Sequence, residues 1–162
     1  ECISWCLAIV FCNRLSLLEG YTPAYTHPQN TAFDMDWVHA VQWDKSANGY
    51  RLPTAAEWDY ASQYEALTSN ISSYAWLQDN SNQQTQPVGR KEPNSFGIYD
   101  ILGNVYEWVW DFVPNHKERM AYGLSFAHSA NRSPLPLMYM NKPWESHHQL
   151  GFRLARNGHQ IS

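Results

Sequence analysis

The segment VYEWVWDF at residues 105–112 constrains the fold most strongly, because its side chains alternate with the two-residue period of a β-strand. Successive residues of a strand point to opposite faces, so the sequence predicts a ring-bearing face and a second face. The ring-bearing face consists of Tyr106, Trp108, Trp110 and Phe112, and the second face consists of Val105, Glu107, Val109 and Asp111. Glu107 stands between apolar residues and, as a buried charge, needs a partner.

The composition fits one folded domain over residues 1–162. Apolar residues make up 44% of the chain and charged residues 16%, which disfavours extensive disorder. Aromatic residues make up 15%, and this content suits a loop-rich fold held together by packed rings. The net charge is −4 and no run of Lys and Arg occurs, so nucleic-acid binding and an anionic membrane surface are disfavoured. No apolar run approaches membrane-spanning length, so a membrane span is disfavoured as well.

All three cysteines lie near the start of the chain, at Cys2, Cys6 and Cys12. Their number is odd and their spacing does not match a metal site. We interpret them as buried thiols in a reducing compartment, which favours the cytoplasm over a secreted location. A disulfide to a segment that precedes Glu1 is the alternative.

Local signals predict an α+β fold with two helices, several short antiparallel strands and much ordered loop. Ser4 would cap a helix from Trp5 to Leu18, and Thr54 with Glu57 forms a capping box for a second helix over about residues 55–64. Extended segments or strands are predicted in YTPAYT, HAVQWD, YGLSFA and GFRLAR. Residues 68–94 and 127–150 are predicted to be long loops.

Several motifs in order resemble the formylglycine-generating-enzyme/sulfatase-modifying-factor family. They are GYRLPTAAEWDYA, PNSFGIYDILGNVYEWVWD, GLSF and GFRLAR. The resemblance covers nearly all of the chain and implies a C-type-lectin-like fold. It also implies that the family's N-terminal portion, which precedes the first helix, is missing. Family resemblance indicates fold better than function, since members include copper oxidases, iron-dependent sulfoxide synthases and hypervariable binding proteins.

The chain lacks the residues that the family's copper oxidase would need. The resemblance places two thiolates, which suit Cu(I), about two and about seven residues after a strand that corresponds to Gly123–Phe126. His128 and Ser133 stand at those spacings, and no cysteine follows Cys12. We therefore expect no catalytic residues of this type and no copper. His147 and His148 are adjacent and would point to opposite sides of an extended chain, which makes them poor joint ligands for iron.

The resemblance also implies a structural calcium site. In the family's equivalent stretch, oxygen atoms ligate Ca²⁺, and the matching positions here are Asp100, Gly103, Val105 and Glu107. The two carboxylates and two backbone carbonyls would supply the hard oxygen ligands that Ca²⁺ prefers. The alternative is that Asp100 caps the turn and Glu107 pairs with an arginine such as Arg153.

The segment 127–149 is the predicted ligand-binding surface, because the resemblance places the contacts of the hypervariable binding proteins there. Its candidate residues are His128, Asn131, Arg132, Tyr139, Asn141, Trp144, Glu145 and His147. Arginine and aromatic residues among small polar ones are typical of recognition surfaces. The alternative is an ordinary polar loop with a buried Trp144.

We therefore expect a catalytically degenerate member of the family that binds a protein or a small ligand. Two alternatives stay open. One is an oxidoreductase of the same family that does not use copper. The other is a structural or assembly subunit, in which another protein chain covers the position of the missing N-terminal portion.

Overall fold

The structure is a computed structural model that describes residues 1–30, 32–63, 70–113, 117–130 and 138–158. Helix α1 spans Trp5–Leu18, the bounds that the sequence predicts. It begins where Ser4 Oγ accepts a hydrogen bond from the Leu7 amide at 3.2 Å. Its inner face, which includes Ile9 and Cys12, lies in the core.

Four helices occur in the described residues, and the prediction of two is wrong. Strand β1 (Tyr25–Thr26) is followed by α2 (Met35–Ala40), β2 (Gln42–Trp43), β3 (Tyr50–Arg51), α3 (Ala55–Ser62) and α4 (Ile71–Tyr74). The predicted extended segment HAVQWD is helical at its first two residues. Asp34 begins this helix by accepting a hydrogen bond from the Trp37 amide at 2.9 Å.

The predicted capping box of α3 is confirmed. The Thr54 side chain accepts a hydrogen bond from the Glu57 amide at 3.2 Å, and Glu57 accepts one from the Thr54 amide at 2.8 Å. The described part of this helix ends at Ser62, and Gln63 follows it in the left-handed conformation.

The main sheet is mixed, not purely antiparallel as predicted. It contains β4 (Tyr106–Phe112), β5 (Arg119–Tyr122), β6 (Tyr139–Asn141) and β7 (Leu150–Phe152), in the order β6-β5-β4-β7. Strand β4 runs antiparallel to β5 and parallel to β7. Strand β8 (Ala155–Arg156) pairs with β3 in a separate small sheet.

Two further strand predictions and one loop prediction need correction. The predicted strand YGLSFA keeps only Tyr122 in a strand, because Gly123 follows with a φ of +97° that ends the ladder. The predicted strand GFRLAR is divided between β7 and β8. The predicted loop 127–150 contains β6, which pairs with β5.

Strand β4 is confirmed and lies between two hydrophobic clusters. Trp108 belongs to a cluster with α1, and Val109 belongs to a second cluster with Trp58 of α3. Trp5 Nε1 donates a hydrogen bond to the Val109 carbonyl at 3.0 Å, which joins α1 to the strand. Burial on both faces places Glu107 inside the molecule.

Within the residues that the structure describes, no helix is both long enough and apolar enough to cross a membrane.

Candidate functional site

Glu107 is buried beside Arg153, and the predicted alternative of an arginine partner is confirmed. Arg153 Nη2 lies 2.7 Å from Glu107 Oε1, and Arg153 Nε lies 2.5 Å from Oε2. Trp58 Nε1 donates a third hydrogen bond to Oε2 at 2.7 Å. Burial of Arg153 opposes its charge, but the Glu107 carboxylate outweighs this effect and raises the pKa of Arg153 above its usual value.

Asp100 stands close to this pair and keeps one oxygen without a hydrogen bond. Its backbone has a φ of +51°, and its Oδ2 accepts a hydrogen bond from the Gly89 amide at 2.6 Å. Its Oδ1 is buried and has no partner. Since Asp100 bonds to Gly89, eleven residues away, it ties two loops together and does not cap its own turn.

Gly103 turns the chain between Asp100 and β4. Its φ is +77°, and a Cβ atom there would lie 2.5 Å from the Trp76 carbonyl oxygen, so a larger residue does not fit. The Asn104 amide donates to the same carbonyl at 2.8 Å. Val105 follows, half-buried, and Glu107 is two residues further on. This turn with the start of β4 thus holds all four residues of the predicted calcium site.

His128 lies at the centre of a hydrogen-bond network. Tyr106 Oη lies 2.9 Å from His128 Nε2, and Ser125 Oγ lies 2.9 Å from His128 Nδ1. Ser125 Oγ also donates to Gln149 Oε1 at 2.7 Å. The Ser125 amide also donates a hydrogen bond to His128 Nδ1 at 3.3 Å, so Ser125 contacts this nitrogen through both its backbone and its hydroxyl group.

Tyr106 is held on both sides of its ring. The Tyr139 ring stacks on it, with centroids 5.0 Å apart and planes inclined by 22°. The His128 ring meets it edge-on at 5.2 Å. Burial, with a smaller contribution from Tyr139, raises the pKa of Tyr106 to about 12, so the phenol stays protonated at neutral pH.

The other described residues of the predicted ligand surface are spread along the segment. Trp144 is half-buried against the core, which agrees in part with the alternative of a buried Trp144. Asn141 Oδ1 accepts the Lys142 amide at 2.9 Å, and Glu145 forms an exposed ion pair with Lys142 at 3.0 Å. Asn131 and Arg132 lie outside the described residues.

The orientation predicted for His147 and His148 is wrong. Their ring centroids are 4.0 Å apart, because the chain turns here and does not run extended. Burial, with a contribution from His148, lowers the pKa of His147. Among the described residues, no three His, Cys, Asp or Glu side chains are grouped so that they could hold a metal ion.

Several residues of this surface were missed in the sequence. Ser125, Gln149 and Tyr106 form the network around His128, and Met138 and Met140 are exposed on either side of Tyr139. The alternation in MYM at 138–140 is a strand signal that could have shown which side chains face outward. We name the described part of this region, residues 125–130 and 138–149 with Tyr106, the His128 face.

None of the three cysteines belongs to the His128 face, and the Cys6 amide donates a hydrogen bond to the Pro143 carbonyl of that face at 3.0 Å. Cys6 and Cys12 are buried in α1, as predicted, and burial raises the pKa of each to about 12. Cys2 is exposed, which corrects the prediction that all three are buried. All three are free in the structure.

Comparison with known proteins places the chain in a family. The model of the sulfatase-modifying factor enzyme 1-like domain matches residues 1–158. The chaperone protein LppX of Paenibacillus barcinonensis is 30% identical over 83% of this chain and 61% of its own length. The formylglycine-generating enzyme of Mycobacterium tuberculosis is 36% identical over 56% of this chain and 36% of its own length.

A solved structure agrees with these matches. Treponema denticola variable protein 1 superposes with a TM-score of 0.80 and 30% identity, over 96% of this chain and 70% of that protein. The chain spans less than two thirds of the length of the two curated relatives named above. The motifs, the α+β architecture and these matches agree, and the chain belongs to the sulfatase-modifying factor enzyme 1-like family, with the C-type-lectin-like fold of that family.

Proposed function

We propose that this chain is a binding module whose His128 face contacts a protein or a small ligand, without copper–thiolate chemistry. The observation that carries the proposal is the state of His128. This residue stands where the resemblance would place the first copper-binding cysteine, and both of its ring nitrogens contact protein groups, Tyr106 and Ser125. A ring held in this way supports the surface around it and has no thiolate to offer a soft metal.

The side chains around His128 suit recognition. Met138 and Met140 are 45% and 39% exposed, and thioether side chains adapt to partners of different shape. Tyr139 and Trp144 are half-buried, so each combines an anchored ring with an accessible edge. The likeness to Treponema denticola variable protein 1 supports the resemblance to hypervariable binding proteins from which this surface was predicted.

Affinity capture from the native source tests this proposal, with the intact chain as bait. Changing Trp144 of this face, together with Arg132 of the predicted ligand surface, to Ala should abolish capture of the specific partner. The control is Tyr60→Ala, which removes a ring that is 74% exposed on α3 and outside the His128 face. Capture that is lost with the control, or retained by the double variant, would contradict the proposal.

A second candidate function is that of an assembly subunit, and the outer face of α1 favours it. Leu7, Phe11, Leu17 and Leu18 are exposed there, with Leu17 at 66% and Leu18 at 84%. Apolar side chains on one helix face are typical of a surface that another polypeptide covers. Changing Leu17 and Leu18 together to Lys separates the two candidates, because it should disrupt an assembly and leave capture through the His128 face intact.

The proposed module also binds one calcium ion beside β4. The support is the Asp100 Oδ1 atom, which is buried without a hydrogen bond and so offers a lone pair to a cation. Asp100, the carbonyls of Gly103 and Val105, and Glu107 would hold the ion. Glu107 would share its carboxylate with Arg153, since its Oε1 accepts one hydrogen bond and retains a second lone pair. The ion would fix the turn before β4.

A further inference from the structure

A pocket with a cationic side opens between α2 and the β4–β5 hairpin. It shares Pro143 with the His128 face, but neither Tyr106 nor His128 lines it. Its volume is about 380 Å³, within the range of roughly 300–1,000 Å³ that is usual for small-molecule sites. Apolar side chains form most of its wall: Met35, Val38, Val41, Phe112 and Pro143. His39, Lys117, Glu118 and Arg119 supply the polar part of the lining.

Arg119 is the unusual member of this lining. Its guanidinium lies 4.1 Å from the centroid of the Trp5 ring and 5.4 Å from that of Trp110, so two indoles surround the charge. Burial lowers the pKa of Arg119 to about 10, and the side chain is therefore still charged at neutral pH.

Among the residues that the structure describes, Arg119 has a partner for one of its donors. This bond runs from Nη1 to the Trp110 carbonyl at 2.9 Å. A guanidinium carries five N–H donors. The Asp111 carboxylate attracts the charge, but its Oδ2 accepts a hydrogen bond from the Ala55 amide at 2.6 Å. No carboxylate among the described residues forms an ion pair with Arg119.

The wall of the pocket indicates which kind of ligand would accept hydrogen bonds from the remaining Arg119 donors. Val38 and Val41 are buried, and Phe112 is 58% exposed at the mouth. An aliphatic or aromatic tail would cover these side chains, and its burial would contribute in proportion to the apolar area removed from water. A planar anion at the end of that tail would match the fork of the guanidinium.

We propose that this pocket binds a small monocarboxylate with an apolar tail. The carboxylate accepts hydrogen bonds from Arg119, with Lys117 adding positive charge at the side. The tail lies against Met35, Val38 and Val41. Glu118 also lines the pocket, and its negative charge disfavours ligands with a second anionic group at the other end.

Titration of the protein with four probes tests the ligand class. Binding is measured from the NMR signals of the backbone amides and of the Arg119 Nε–H group. Hexanoate should bind saturably. Hexanol, which keeps the tail without the charge, should bind about tenfold more weakly or worse, as should acetate and inorganic phosphate, which lack the tail. Equal binding of hexanol would reduce the pocket to an apolar groove and overturn the proposal, and so would phosphate binding as tight as that of hexanoate.

Three variants locate the binding. Arg119→Met removes the charge and should weaken hexanoate at least about tenfold. The matched control is Arg156→Met, because Arg156 also stacks on a ring, that of Tyr21 at 4.2 Å, and does not line this pocket. Met35→Trp adds bulk to the wall of the pocket and leaves Arg119 unaltered, so it tests the site even if Arg119→Met does not fold. Unchanged hexanoate binding in a folded Met35→Trp variant, or no saturable binding by the unaltered protein, overturns the proposal.

Discussion

Glu107 and Arg153 are joined by two hydrogen bonds of 2.7 Å and 2.5 Å, and this pair neutralises the buried carboxylate of β4. The side chain of Glu107 is 8% exposed and that of Arg153 is 24% exposed. Removing one partner of such a pair leaves the other charge buried without compensation. The pair therefore fixes β4 against the residues that follow β7.

Glu107→Gln should destabilise the fold by about 3–5 kcal/mol, the usual cost of breaking a buried ion pair. The free energy of unfolding in urea measures this. Glu145→Gln is the matched control, since Glu145 pairs with Lys142 at the surface, where such pairs contribute about 0–1 kcal/mol. Equal losses for the two variants would contradict the role that we assign to Glu107.

Acid stability should depend on Glu57. Its hydrogen bond from Arg51 holds the pKa of Glu57 below its ordinary value of 4.5. A carboxyl group whose pKa is lowered by folding stabilises the folded state above its unfolded pKa, and this stability is lost as the pH falls through the folded-state pKa. Below about pH 4.5, the unaltered protein should therefore lose stability more steeply than Glu57→Gln. Urea midpoints measured across this pH range test the prediction, and parallel curves would refute it.

Calcium should raise the melting temperature if Asp100 holds the ion. A ligand that binds the folded state alone stabilises it by about 2.7 kcal/mol at a hundredfold excess over its Kd. Thermal unfolding with added calcium and with a chelator measures the difference. Asp100→Asn should lose the effect, whereas Asp59→Asn, on the exposed side of α3, should keep it. A melting temperature that does not change with calcium would contradict the proposed calcium site.

Thiol labelling should distinguish Cys2 from the other two cysteines. Cys6 and Cys12 are buried and have pKa values of about 12, so at neutral pH they carry almost no thiolate and are shielded from reagents. A disulfide reagent such as Ellman's should modify one thiol in the folded chain and three after unfolding. Rapid modification of Cys6 or Cys12 in the folded protein would show that α1 opens or is packed differently.

Local signals in the sequence predicted the parts of the fold that neighbouring residues determine. The bounds of α1 and the start of α3 follow from capping side chains three residues from their amide partners. Helix α2 was not predicted, because its six residues are too few to show a helical period. The parallel pairing of β4 with β7 joins residues more than forty positions apart, and no local pattern indicates it.

In the candidate site, too, features set by neighbouring residues were predicted and features set by distant residues were not. A partner for Glu107 was predicted, since its burial between apolar residues demanded one, and Arg153 was named as an alternative. The network around His128 was not predicted, because Tyr106 is 22 residues from His128 and Gln149 is 24 residues from Ser125. The closeness of the His147 and His148 rings depends on a turn that the residue types alone did not reveal.

The central claim is that this scaffold carries no copper–thiolate chemistry at the His128 position. The most direct measurement is incubation of the protein with Cu(I), oxygen and a cysteine-containing peptide, with mass spectrometry of the peptide. The formylglycine-generating enzyme of Mycobacterium tuberculosis, run beside it, serves as the positive control. We expect the peptide's cysteine to stay unconverted, and stoichiometric formation of the aldehyde by this chain would contradict the absence of copper–thiolate chemistry.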